Sequence, residues 1–413
     1  SGRAPSGGYI SIIPWEAIQI TDVLGYLIPS LTAGDPLYTV YGTGVHLTTI
    51  IIGVICSLLL FALNMRGLAS AAVLQKILCF VLVGAGILGA IASLIKGNAA
   101  NWQPIYDTAN PMLYGTGEGY IQATNSNMLG GILAILSTAP FFLAGFETIP
   151  QGVEDAGGDI KSVGKTVVLS VALACIFYAI LLFCFGFAWP WQEFSTPTAV
   201  GGEMTNPAAA TMLRMLYGGA AGEVLYWIIT IGALAGLFTT WNGFFMASAL
   251  LLMGMARGRL MPRIFARQNK NGIPVPALLV CLILSLVGPF AGAGIIGDLT
   301  CFSGAAFVLS WMLTSFSLVR LRKTEPDLER PYKIPGGIGM GYFASIVSLV
   351  VFVLLFVPGN PVYMGKLAII MFIGWMVIGL ILYLASSGQR RGVSQEELKD
   401  GVFHGMEERK HQA

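Results

Sequence analysis

The sequence predicts an all-α polytopic membrane protein. Three observations predict it: scarce charge, ten apolar stretches of spanning length, and the one-sided placement of basic residues. Of 413 residues, 55% are apolar and 11% charged, against about 25% charged in a soluble domain. So little charge cannot cover a water-facing surface, which makes lipid part of the solvent. Glycine is frequent at 52 residues, which suits helices whose backbones approach closely in a bilayer. The net charge of +2 comes with no basic patch interleaved with aromatics, so nothing points to a nucleic acid partner.

A spanning helix needs about 20 mostly apolar residues. The stretches that qualify are 14–32, 43–64, 70–95, 128–152, 166–189, 222–253, 274–292, 298–320, 339–358 and 365–386. The first is the weakest, because Glu16, Gln19 and Asp22 interrupt it. Turn formers separate the others, among them Asp35-Pro36, Gly97-Asn98 and Pro335-Gly336-Gly337. With the N-terminus on the cytoplasmic side and the helices alternating, all but three of the 23 basic residues fall inside. The exceptions are Lys96, Arg214 and Lys366. Such a split is expected only when number and order of spans are right, and it places both termini in the cytoplasm. The transmembrane region is then 1–386 and a charged cytoplasmic tail occupies 387–413.

The chemistry-bearing residues exclude several classes. The six cysteines are scattered singly, without metal-ligand or redox spacing. Of the three histidines, His404 and His411 lie in the tail and His46 sits at an outer helix end. No metal site, cofactor site or catalytic cluster is expected, so the chain is not read as an enzyme.

Ionisable groups within the bilayer are costly, and each is a functional hypothesis. Glu147 lies in a segment where Pro140, Gly145 and Pro150 weaken regular helix bonding. Broken helices expose backbone groups at membrane depth beside a cavity, and transporters hold substrates on them. Asp22 lies deeper in the first span than Glu16, whose position suggests the cytoplasmic end. Lys76 is early enough in its helix to snorkel to the inner surface. The island Thr239-Thr240-Trp241-Asn242-Gly243 offers oxygen ligands of the kind a Na⁺ would take, or hydrogen bonds that hold helices together.

Three runs then carry a resemblance: Met253 to Ala266 continuing to Leu279, Phe141 to Glu147, and Arg320 to Gly336. In that order and at those depths they resemble the inner loops and the broken sixth helix of amino acid–polyamine–organocation permeases. The likeness covers essentially the whole chain. It implies a LeuT-like inverted-repeat fold in which the ten spans correspond to family helices three to twelve. The opening Ser6-Gly7-Gly8-Tyr9 is similar to the family's motif at the end of helix two. Helices one and two are thus expected to be missing, and with them the other broken helix, which makes the chain a fragment of a longer permease.

What the resemblance implies of function is secondary active transport of amino acids, by alternating access with ion coupling or exchange. Phe142, Ala144, Gly145, Phe146 and Glu147 inherit the broken-helix site, and Asp22, Trp241 and Asn242 join them as substrate-site candidates. Thr239 and Thr240 fall where sodium-coupled relatives bind a cation, so Na⁺ or H⁺ is the coupling ion to test. Leu82 occupies the position at which some proton-coupled members carry a lysine, which disfavours coupling by that device. A polyamine or ethanolamine permease is the runner-up, as is a non-transporting sensor or partner subunit on the same scaffold. The partners implied are a small-molecule substrate and the bilayer, in a bacterial plasma (inner) membrane.

Overall fold

The computed structural model describes residues 3–66, 68–106, 127–151, 160–191, 193, 208–327, 330 and 332–391. Most of the expected tail (392–413) and the outer-loop segments 107–126 and 194–207 lie outside the described residues. So does the segment Glu154–Asp159, after the expected broken helix.

Each of the ten apolar stretches coincides with helix. In chain order these are α1 (Arg3–Leu27), α2 (Leu47–Met65), α3 (Leu68–Lys96), and the three short pieces α4 (Met128–Ile135), α5 (Ala139–Phe142) and α6 (Thr148–Gln151). There follow α7 (Ile160–Ala188), α8 (Ala208–Tyr217), α9 (Gly219–Arg257), α10 (Val275–Ala291), α11 (Ile296–Thr324), α12 (Gly337–Leu354), α13 (Lys366–Ala385) and α14 (Ser387–Arg390). Among the described residues, seven helices are long and apolar enough to cross a membrane, and α10 is apolar but shorter. The segment α4–α6 is interrupted, as its prolines and glycine require.

The first helix differs from expectation. It starts at Arg3 rather than near 14 and carries Pro14 in its interior. Proline removes one backbone donor there, and α10 covers the spot closely. A Cβ on Gly288 would fall 2.6 Å from the Pro14 carbonyl oxygen. The longer helix puts Glu16 near its middle, where the carboxylate is buried instead of reaching the inner surface.

α1 is the centre of the bundle, packed by α2, α9, α10 and α11. Its residues divide between two cores at helical spacing. Tyr9, Ile12, Trp15 and Ile18 join Phe244 of α9 and Phe302 and Phe307 of α11. Ile10, Ile13, Ala17 and Ile20 join Trp241 and Phe245 of α9 and Leu278 and Cys281 of α10. A helix apolar on most of its circumference is buried by its neighbours. Lipid tails are as apolar as the side chains, so close approach and polar contacts hold these helices. The Ser11 and Ser303 hydroxyls lie 2.5 Å apart, the Trp15 indole donates to Thr300 at 2.9 Å, and Ser285 donates to Ser57 at 2.8 Å. Those bonds tie α1 to α11 and α10 to α2.

Loops expected on one side of the membrane meet on one side of the bundle. Arg259 donates to the Gln389 carbonyl at 3.2 Å, and Gly164 lies against Tyr332, all four in inner segments. At the other end Trp191 donates to Pro104 and Tyr217 to Ala92. Lys76 is exposed on α3. The segment between α1 and α2 holds a hairpin that the sequence reading leaves as loop, with Tyr38–Val40 antiparallel to Thr43–Val45. Its turn places Tyr41 at φ 48° and Gly42 at φ 78°, the paired left-handed geometry of a tight hairpin. The Tyr38 hydroxyl donates to the Phe290 carbonyl at 2.5 Å, which ties the hairpin to the end of α10.

The contact at Pro14 yields a test. Gly288→Val drives a side chain into backbone, and overpacking of this kind costs about 1–3 kcal/mol. Its thermal unfolding midpoint in detergent should fall by several degrees. Gly254→Ala, with nothing within 4 Å of the new Cβ, should unfold like the parent.

Candidate functional site

The break occupies residues 143–147, between α5 and α6. Pro140 opens α5 in its first turn, where a missing N–H costs little, and α5 ends after one turn. Gly145 then adopts φ 123°, a conformation that side-chain-bearing residues avoid. The chain cannot continue its helix through that torsion, and Thr148 restarts it. The new turn is tied by the Thr148 hydroxyl, which donates to the Gly145 carbonyl at 2.6 Å.

Glu147 closes the break on itself. One carboxylate oxygen accepts the Gly145 N–H at 2.8 Å, and the other accepts the Trp311 indole N–H at 2.6 Å. The carboxylate therefore does two jobs, capping an amide that the break has freed and pinning the segment to α11. Trp311 also packs its ring against Phe146 at 5.6 Å and Phe307 at 6.2 Å. On the opposite flank Tyr178 of α7 donates to the Phe142 carbonyl at 3.0 Å. Where α11 passes α5, a Cβ on Gly304 would fall 2.7 Å from the Ser137 carbonyl. Among the described residues, the Leu143 and Ala144 carbonyls and the Phe146 N–H take no hydrogen bond. The break thus offers two acceptors and a donor on half-buried backbone, with Phe142 half exposed beside them.

Two further polar groups border this region, and the sequence reading gave neither a place in the site. Glu16 is 2% exposed, and one of its oxygens has no hydrogen-bond partner among the described residues. Its neighbour Trp15 packs on Phe141 at 4.9 Å, and the Tyr178 phenol lies within electrostatic reach of the Glu16 carboxylate. The signal for Glu16 was its charge in an apolar run, and misplacing the start of α1 hid its depth. Trp311 is not among the sequence candidates, and only the tertiary fold brings it to Glu147.

The remaining sequence candidates lie apart or are engaged elsewhere. Trp241 is fully buried in the α1–α9–α10 core, and its indole N–H has no partner among the described residues. Asn242 accepts from Asn64 of α2 at 3.0 Å, and Thr239 donates to the Gln75 carbonyl of α3 at 3.3 Å. Both perform the helix-joining role that the sequence reading weighed for this island. Thr240 is half-buried. Phe244, one turn on from it, is the nearest side chain to Gly145, 4.0 Å from where a Cβ would stand. Asp22 lies in a separate cavity between the ends of α1 and α10 and the start of α2. Among the described residues no group of three metal-ligating side chains occurs.

A sequence profile of the family described as "Amino acid permease" matches residues 13–381. The chain belongs to the amino acid permease family. Among its relatives is the branched-chain amino acid permease BcaP of Lactococcus lactis subsp. cremoris (strain MG1363). It is 24% identical over 378 residues, which cover 90% of this chain and 72% of that protein. The lysine-specific permease LysP of the same organism is 26% identical over 62% of this chain and 49% of its own length. The D-serine/D-alanine/glycine transporter of Escherichia coli (strain K12) is 23% identical over 54% and 47%. The chain thus spans about half the length of the last two relatives. Within this permease, the Glu147 clamp holds the break, and the buried Glu16 lies next in sequence to Trp15, which packs on Phe141.

The clamp predicts a measurable cost. Trp311→Phe keeps the ring against Phe146 but removes the donor to a carboxylate, a bond worth about 1.5–3 kcal/mol. The detergent unfolding midpoint should drop by several degrees. An unchanged midpoint would mean that the indole does not hold the break.

Proposed function

We propose that this permease moves amino acids across a bacterial plasma membrane by secondary active transport, alternating access to a site at the 143–147 break. The observation that carries the reading is the unsatisfied backbone of that break. An amino acid brings an ammonium, which only donates, and a carboxylate, which only accepts. The Leu143 and Ala144 carbonyls suit the first and the Phe146 N–H the second. Phe142 and Phe146 provide apolar surface for a side chain. Glu147, with both oxygens committed to the clamp, acts by holding this backbone in place rather than by direct contact.

Glu16 supplies the negative charge of the region. A carboxylate in a bilayer is costly unless it is protonated or paired with a cation, and one Glu16 oxygen is buried with no protein partner among the described residues. Glu16 is therefore the carboxylate on which coupling to H⁺ or Na⁺ is to be tested, with Thr240 the half-buried hydroxyl of the 239–243 island. Amino acids are favoured over polyamines because the region holds two acidic side chains, Glu16 and Glu147, where a polycation would call for more. The relatives named above, described as amino acid permeases and transporters, support the same substrate class.

The test is uptake of labelled leucine, alanine and lysine by proteoliposomes containing the protein, with imposed H⁺ or Na⁺ gradients. Accumulation of at least one is expected under one gradient. It should fall at least tenfold in Glu147→Ala and less in Glu147→Gln, which keeps an acceptor for Gly145. Saturable binding without accumulation, or a Glu147→Ala variant equal to the parent, would contradict the reading.

A further inference from the structure

The cavity that holds Asp22 lies outside the break and has its own chemistry. Its volume is about 220 Å³, and it is bounded by the end of α1, the hairpin, the start of α2 and the end of α10. Among the described residues, Asp22 is the one carboxylate on its wall, no Lys or Arg lines it, and Asp22 makes no hydrogen bond or ion pair. The neighbouring hydroxyls have turned their protons away. Thr21 donates to the Ile18 carbonyl at 2.7 Å and Thr49 to the His46 carbonyl at 2.8 Å. What those hydroxyls have left is acceptor lone pairs. Thr43 adds a further hydroxyl and His46 an imidazole, and Tyr26 also lines the cavity.

A wall of acceptors around one uncompensated carboxylate fits a ligand that only donates. An anion would find few donors here. A bare metal ion would leave most of the volume to water, since a water needs only about 10–15 Å³ of such space. An alkylammonium group uses both parts: three N–H donors for Asp22 and the threonines, and a short chain against Ile18 and Pro289.

We propose that this cavity is a binding site for a primary ammonium group, separate from the 143–147 break. Two sources share that chemistry, a free small amine and the ethanolamine headgroup of a phospholipid. The hairpin forms part of its wall, and the Tyr38 bond to Phe290 holds that wall against α10.

Calorimetric titration of the detergent-purified protein with ethylammonium chloride tests the proposal. Saturable binding is expected, weakened at least tenfold in Asp22→Asn and several-fold in Thr43→Val, a surface change that leaves the carboxylate in place. Sodium chloride at the same concentration should not displace it. In nanodiscs, a loss of ethylammonium binding when phosphatidylethanolamine replaces phosphatidylcholine would identify the headgroup as occupant, and undiminished binding would identify the free amine. Equal binding by the parent, Asp22→Asn and Thr43→Val would overturn the proposal, as would displacement by sodium alone.

Discussion

The interaction on which the structure turns is the clamp of Glu147 on the Gly145 amide and the Trp311 indole. A bilayer offers no water to a freed backbone group, so a helix can break there only where protein or a cavity satisfies what the break releases. Gly145 makes the break possible by its torsion, and Glu147 makes it tolerable by capping the amide from two residues away. The same carboxylate reaches α11, so the local conformation and the tertiary packing depend on one side chain. Removing the clamp would leave an amide and an indole N–H without partners in the same few ångströms.

Around that clamp the molecule divides into held and unheld polar groups. Serine, threonine and asparagine pairs such as Ser11–Ser303, Ser57–Ser285 and Asn64–Asn242 are consumed in joining helices. Those pairs, with glycine contacts such as Gly288 on Pro14, fix α1 among α2, α9, α10 and α11. The groups left over are the informative ones. Glu16, Asp22 and the Leu143 and Ala144 carbonyls keep acceptor capacity that no described neighbour uses. Fixed polar pairs build the scaffold, and unspent acceptors mark the places where a ligand or ion could enter.

Much of this was legible in the sequence because it depends on short-range pattern. Apolar runs gave the ten helical stretches, and Pro140, Gly145 and Pro150 gave the break within a few residues of its place. Charge asymmetry correctly grouped the loops that meet at each end. The misses share a cause. Pro14 resembles a helix start, yet it lies inside α1, where Gly288 of α10 packs on its backbone, and starting the helix there places Glu16 at the surface instead of mid-bundle. Asp22 and Glu147 both read as charges in apolar spans, but packing engages Glu147 in the clamp with Trp311 of α11 and leaves Asp22 on the wall of a cavity between α1, α2 and α10. Trp241 and Asn242 sit on a polar island in the sequence, and packing against α1 and α2 turns them inward. Periodicity assigns a residue to a helix face; which neighbour covers that face is decided by contacts far apart along the chain.

An amino acid bound at the clamped break, as proposed above, would shield the amides of that segment. Hydrogen exchange of the backbone amides at residues 143–149, measured by mass spectrometry in nanodiscs with and without a saturating transported amino acid, tests it most directly. The Phe146-containing peptides should gain protection on addition of the amino acid, while peptides from the hairpin at 38–45 should not change. Unchanged exchange across 143–149, with protection arising elsewhere in the bundle, would contradict it.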